Sequence, residues 1–277
     1  MIKSFSLTDI KTNPSDLVAG LKETGFAIIT DHGIEKELMD AFYREWRRFF
    51  GKSSDVKLKY LFNKSNQSGF FPMGSEKAKD AKVGDLKEFY HYYAGVSQDP
   101  TNGITQYMAD RMNRVGFYIL SQIENGLPDD VYESLSSSLT QMILNTTKTL
   151  FRVIHYPAMP GAEVTEGAMR AAAHEDINLI TLLPMATAEG LQVLSSSGEW
   201  LDVGGDPNAL VINVGDMLQE ATGGYLRSTT HRVVNMGMDN PRYSAPLFIH
   251  PRPDVKLSDR HTADSYLTER LKELGLL

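Results

Sequence analysis

The 277 residues contain no cysteine. No disulfide framework can form, and thiolate sites for zinc or iron–sulfur clusters are excluded. Any metal must therefore be held by nitrogen and oxygen donors. No stretch approaches the roughly 18 apolar residues of a membrane span. The opening MIKSFSLTDIKTNPSDL lacks the apolar core of a signal peptide, so the cytoplasm is the expected compartment. Positive charge is scarce: 28 Lys and Arg face 35 Asp and Glu, for a net charge of −7. With no long basic run, nothing supports a nucleic-acid partner. Internal repeats and low-complexity tracts are also missing. What remains is an ordinary globular balance, 42% hydrophobic and 23% charged, long enough to bury a substantial core.

Helical spacing and a terminal Gly25 predict a helix over 16–25, followed by a short apolar strand at 26–30. Residues 35–50 return to helical period, with Leu38, Phe42, Trp46 and Phe49 near one face. The densely charged stretch SEKAKDAKVGDLKEFYHYY reads as a solvated loop or hairpin flank, or as a lid over a pocket within 75–97. Residues 101–149 carry long helices, broken at Pro128 and resuming over VYESLSSSLTQMILNTTKTL. From Phe151 the texture changes to FRVIHY, NLITLL, LQVLS, EWLDV, ALVINV, HRVVNM and APLFIH. Short β-rich runs separated by turn residues predict an all-β barrel or sandwich. TADSYLTERLKELGLL closes the chain with an amphipathic helix. The expected boundary lies near residue 148, with 1–147 an α/β region with long supporting helices and 148–277 the β-rich region with its C-terminal helix.

Among the seven histidines, His174 has a carboxylate two residues away within strand-like flanks, AAAHEDINLITLL. In a strand, residues i and i+2 share a face, so His174 and Asp176 can converge while Glu175 points away. A third ligand must come from another strand, and His231 at the start of HRVVNM is the best donor. Two imidazoles and one carboxylate form the facial triad associated with non-haem iron(II), which leaves positions open for ligands. Zinc is the competing ion, although no HExxH is present. A surface pair or a satisfied core histidine would look similar on the H-x-D alone. Arg242 follows His231 and shares a strand face with Ser244; a guanidinium fork plus a hydroxyl suits a carboxylate.

The order HED (174–176), HRV (231–233), RYS (242–244) resembles the isopenicillin N synthase-like branch of the 2-oxoglutarate/iron(II)-dependent oxygenases. TGFAIITDHGI (24–34), DLKEFYHY (85–92), GLQVLSSSGEWLDV (190–203) and ALVINVGDML (209–218) are similar too. The resemblance implies a mainly β fold: a double-stranded β-helix, or jelly roll, over 148–277, with an N-terminal α/β region and long helices packed on it. It implies iron(II) at His174, Asp176 and His231, and 2-oxoglutarate as cosubstrate. The far carboxylate of 2-oxoglutarate would meet Arg242 and Ser244, and Tyr156, in the family's Tyr-Pro motif, would help bind cosubstrate or substrate. The implied reaction oxidises a C–H bond of a small molecule with release of succinate and CO2.

Two departures qualify the match. Ile154 stands where plant members commonly carry Asn, and the chain ends ELGLL without the glutamine of the penicillin-forming synthase. The alternatives are a synthase-type oxidase acting on a peptide without 2-oxoglutarate, a non-catalytic ligand-binding relative, and a structural zinc protein. The other histidines read as structural: His32 buttressing its turn and His155 facing away from the pocket. Tyr90, Tyr92 and Tyr225 read as aromatic core, with cavity lining the alternative, and Arg170 as a solvated rim residue, with contact to an anionic substrate the alternative. The primary substrate and the oligomeric state are not legible.

Overall fold

The apolar runs at 26–30 and 210–214, far apart in the chain, lie side by side as antiparallel neighbours with Ile28 opposite Val211. A computed structural model shows this arrangement, describing residues 1–75, 86–159, 170–185, 187, 189–234 and 239–273. The first part of the chain runs β1 (Ser4–Ser6), α1 (Leu7–Thr12), α2 (Pro14–Thr24), β2 (Phe26–Thr30), α3 (Lys36–Phe50), α4 (Ser54–Lys57), β3 (Gly69–Phe71) and β4 (Glu88–Tyr92). There follow α5 (Ile104–Gly126), α6 (Asp129–Ser134), α7 (Leu139–Ile143), β5 (Leu150–Tyr156), β6 (Ala171–His174), β7 (Ile180–Pro184) and β8 (Leu191–Leu194). The remainder is β9 (Trp200–Asp202), β10 (Leu210–Val214), α8 (Asp216–Ala221), β11 (His231–Val233), β12 (Arg242–Ser244), β13 (Leu247–Ile249) and α9 (Ala263–Glu273).

Among the described residues these strands make two sheets. The larger has the order β1-β2-β10-β7-β13-β5-β4-β3, with β12 also paired to β5. The smaller has the order β6-β11-β8-β9. Two facing sheets with helices on one outer side are the jelly roll that the resemblance implied. Strands β1 to β4 come from before residue 148 and are hydrogen-bonded into the larger sheet, so both parts of the chain share it.

The larger sheet is buried on both faces, which is why its central strands read as continuous apolar runs instead of alternating ones. On its helix side Ala27, Ile29, Leu182, Leu210 and Ile212 join a core with Phe42, Trp46, Met112 and Ile119 of α3 and α5. Phe42 stacks on Phe151 at 5.3 Å, and Trp46 Nε1 donates to Thr105 Oγ1 at 3.0 Å. On its inner side Phe26, Ile28 and Val211 meet Ala171, Leu191, Val193 and Val233, several of them from the smaller sheet. Burying each such aromatic or aliphatic side chain stabilises the fold by roughly 1.5–3 kcal/mol. Gly25 ends α2 at φ +72°, where a Cβ would lie 2.1 Å from Thr229 Oγ1, so the turn into β2 requires glycine.

Three sequence expectations are corrected. Residues 129–148 do not form a long helix: α6 and α7 are short, separated by Ser136 to Ser138, and Ser138 caps α7 by accepting from Gln141 N. Serine favours caps over helix interiors, which breaks the run. The charged stretch does not stay in solvent to its end, because Glu88–Tyr92 is a strand buried throughout. Its charge is met by Lys57 Nζ at 2.7 Å and His155 Nδ1 at 2.8 Å on Glu88. The lid expectation for 75–97 falls at 76–85 outside the described residues. The third concerns Arg170, which is buried at 1% exposure and is no rim residue.

Candidate metal centre

Strands β6 and β11 are antiparallel neighbours, and His174 and His231 are direct cross-strand partners. Their rings lie 4.4 Å apart, and Phe26 packs edge-on against His231 at 5.4 Å. β6 ends at His174, so Asp176 lies just past the strand and is not placed by the expected strand alternation. The backbone after it is fixed instead by the start of α8. Asp216 N donates to Asp176 O at 2.7 Å, Met217 N to Asn178 O at 2.9 Å and Gly215 N to Leu179 O at 2.9 Å. Glu175 turns aside and accepts from Thr230 Oγ1 at 2.8 Å.

Each imidazole is held through its far nitrogen. His174 Nδ1 bonds Ala172 O at 2.7 Å and His231 Nδ1 bonds Thr229 O at 3.1 Å. A carbonyl can only accept, so both Nδ1 atoms carry the proton and both Nε2 lone pairs are free, the form a metal needs. Asp176 is held the same way. Its Oδ2 accepts from Thr181 Oγ1 at 2.6 Å and from Asn213 Nδ2 at 2.9 Å. Its Oδ1 is left facing the histidines, 3.9 Å from His174 Nε2 and 3.7 Å from His231 Nε2. These gaps are too long for hydrogen bonds. They are short enough for one ion with bonds of about 2.0–2.2 Å to bridge. The donor set fits a divalent first-row metal.

The charges agree. Desolvation, with His231 beside it, pushes His174 down to about 4, so the imidazole is neutral near pH 7. Burial opposes ionisation of Asp176, but the two histidines and the Asn213 and Thr181 hydrogen bonds outweigh it and hold the carboxyl below its usual range. Among the described residues, these three side chains form the one cluster of candidate ligands close enough to share an ion.

Arg242 and Ser244 lie on β12, paired with Tyr156 and Ile154 of β5. All three expected cosubstrate residues are buried: Arg242, Ser244 and Tyr156. The guanidinium sits 5.2 Å from the Tyr156 ring centroid and is joined to Tyr156 by a side-chain hydrogen bond. A cavity of about 650 Å³ opens beside Arg242, lined also by Tyr43, Arg47, Leu183 and Val203; no triad member lines it. This hollow is thus next to the arginine and away from the proposed ligands.

Residues 147–251 match the 2OG-Fe(II) oxygenase superfamily, and residues 4–115 match the N-terminal region of non-haem dioxygenases in morphine synthesis. A Shewanella oneidensis protein assigned as an oxygenase is 45% identical, with a TM-score of 0.87 over 100% of this chain and 99% of that one. The chain belongs to the 2OG-Fe(II) oxygenase superfamily. A family protein from Caulobacter crescentus is 30% identical, with a TM-score of 0.81 over 98% of each chain. The proline hydroxylase buaE of Petromyces alliaceus is 30% identical over 87% of this chain and 82% of its own length. The enzyme is therefore an oxidoreductase, a 2-oxoglutarate-dependent dioxygenase that uses Fe(2+). The peptide-cyclising and non-catalytic alternatives are not favoured. No helix of the described residues is long and apolar enough to cross a membrane.

The sequence reading missed Thr181, Asn213 and Asn178, which orient the carboxylate. Asn178 Nδ2 donates to Thr181 Oγ1 at 2.8 Å, and that hydroxyl in turn donates to Asp176. The signal was present: Thr in ITLL and Asn in LVINV are polar residues inside apolar strands. The expected roles of His32 and His155 agree with the structure. His32 Nδ1 accepts from Ile34 N within its turn, and His155 stacks on Tyr243 at 4.6 Å on the helix side of the sheet.

Proposed function

We propose that His174, Asp176 and His231 hold the ferrous ion, and that Arg242, Ser244 and Tyr156 receive the far carboxylate of 2-oxoglutarate. One observation carries this reading. Two Nε2 lone pairs and one carboxylate oxygen converge, and the opposite atom of each side chain is occupied by a hydrogen bond. A structural ion-free cluster would have no use for that uniform arrangement.

When bound, iron and 2-oxoglutarate together supply the oxidation: dioxygen is reduced, the oxo acid leaves as succinate and CO2, and a small molecule's C–H bond is oxidised. The chain's own residues orient and shield. Thr181 and Asn213 keep Asp176 from rotating, so it presents one oxygen. The backbone carbonyls of Ala172 and Thr229 keep the imidazoles in one tautomer. Arg242 is buried, which deprives its charge of water and strengthens its attraction for a carboxylate. No protein acid or base is needed at the reacting carbon.

The test is anaerobic titration of the apoprotein with iron(II) and then 2-oxoglutarate, following the visible band of the chelate. Wild type gives the band. His231→Ala fails to retain iron, and Arg242→Met retains iron but binds 2-oxoglutarate about 10- to 100-fold more weakly. Iron binding that is indifferent to His231→Ala would overturn the assignment.

A further inference from the structure

We propose that Arg170 anchors a carboxylate of the primary substrate, so that the enzyme oxidises organic acids with an apolar body. This rests on the site reading given above and adds the substrate class to it.

Arg170 is 1% exposed. Its Nη2 donates to the Asn240 carbonyl at 3.1 Å, and its buried Nη1 has no hydrogen-bond partner among the described residues. No acid among the described residues forms an ion pair with it. A buried cation without a counter-ion is costly, and such a group persists where a ligand supplies the missing charge. Burial and the nearby Arg242 both work against its charged form.

Its position is defined by two independent observations. The guanidinium lies 5.8 Å from the centroid of the Tyr156 ring, the same ring that Arg242 approaches at 5.2 Å. Arg170 also stands immediately before β6, at the opposite end of that strand from His174. A strand of this length spans at most roughly 13 Å, a distance that a mid-sized molecule covers between an anchor and the metal.

Charge accounting separates substrate from cosubstrate. A divalent ion and Arg242 carry three positive charges; Asp176 and dianionic 2-oxoglutarate carry three negative ones. Nearby Lys87 and Arg152 are engaged with other groups. Of the groups gathered at the triad and the Tyr156 ring, Arg170 is then one positive charge in excess, and a single carboxylate on the substrate balances it. The apolar body has a surface to meet. Phe89, Ile154 and Tyr156 form a separate apolar cluster with Phe71, on the face of the sheet that carries Arg242 and Ser244.

The experiment uses the full chain loaded anaerobically with iron(II) and 2-oxoglutarate. Calorimetry compares 3-phenylpropanoate with 3-phenylpropanamide, and octanoate with octanamide. At least one acid is expected to bind about tenfold or more tightly than its amide. Arg170→Met should abolish that preference, leave 2-oxoglutarate affinity within about threefold, and raise the melting temperature by removing an uncompensated charge. Arg170→Lys keeps a point charge and should restore part of the preference; Arg170→Gln serves should the methionine variant not fold. Acids and amides that bind alike, no binding of any probe, or a preference that survives Arg170→Met would each overturn the proposal. So would a selective loss of 2-oxoglutarate affinity in Arg170→Met, which would assign Arg170 to the cosubstrate. Failure of wild type to form the iron–2-oxoglutarate chelate defeats the earlier reading instead, and is seen before any acid is added.

Discussion

Thr181→Val tests whether the carboxylate is held for a metal or merely packed. Valine keeps the shape of threonine and removes one hydroxyl. That hydroxyl links Asn178 Nδ2, 2.8 Å away, to Asp176 Oδ2, 2.6 Å away. After the change Asp176 keeps only the Asn213 bond at 2.9 Å, and its carboxylate can turn about that single contact. A hydrogen bond to a charged group contributes about 1.5–3 kcal/mol. Part of that is lost equally from free and metal-bound protein, so the affinity change is smaller than the stability change. Partners that orient metal ligands are typically worth 10- to 100-fold in affinity, about 1.4–2.8 kcal/mol. The assay is anaerobic calorimetry of the apoprotein with iron(II), with manganese(II) as an air-stable stand-in. Thr181→Ser, which retains the hydroxyl, should bind like wild type. A valine variant that folds and binds within about twofold of wild type would refute the reasoning. So would a serine variant as weak as the valine one.

Gly215→Ala should act on the same centre from α8. A Cβ there would lie 2.0 Å from Asn178 Oδ1 and 2.3 Å from Asn178 O, so Asn178 must move and release Thr181. We expect a loss of about 1–3 kcal/mol in urea unfolding together with weakened iron binding, whereas a purely local clash would leave the metal titration unchanged. Glu88→Gln should destabilise the fold by roughly 2–3 kcal/mol at pH 7, since it leaves Lys57 and His155 without their buried carboxylate. The Glu88 carboxyl is held below its ordinary value of 4.5; burial opposes this, but its bonds to His155 and Lys57 outweigh it. Its stabilisation is therefore full above pH 4.5 and is lost as pH falls further. Melting curves of wild type and variant should converge in that acid range; a gap that stays constant down to pH 3 contradicts the assignment.

The centre was legible where its chemistry is local. His174 and Asp176 announce themselves by spacing, and His231 and Arg242 by position in β-rich runs. The β-rich half was legible because two-sided burial writes apolar runs such as LVINV, whereas the jelly roll itself was implied by the family resemblance. What was hidden depends on partners distant in sequence. Glu88 looks like a surface acid until Lys57 and His155 are brought to it, so β4 read as a solvated loop or hairpin flank. Arg170 looks like a rim residue because nothing local reports that Tyr156 and Asn240 close over it. β1 has three residues, too few for a period, and it exists because β2 offers a parallel edge.

The place of β6 in its sheet has a further consequence. Among the described residues it is the outermost strand, joined to β11 through His174 opposite His231 and Ala171 opposite Val233, with an irregularity between the two pairs. Edge strands are the weak seams of β proteins, the first to peel and the first to pair wrongly. On the ligand assignment proposed above, an ion gripped across that seam would work as a rivet, fastening the border strand to its neighbour and fixing its register. Iron supply would then govern durability as well as turnover, because protein starved of metal would be left with a loose hem that proteases can open.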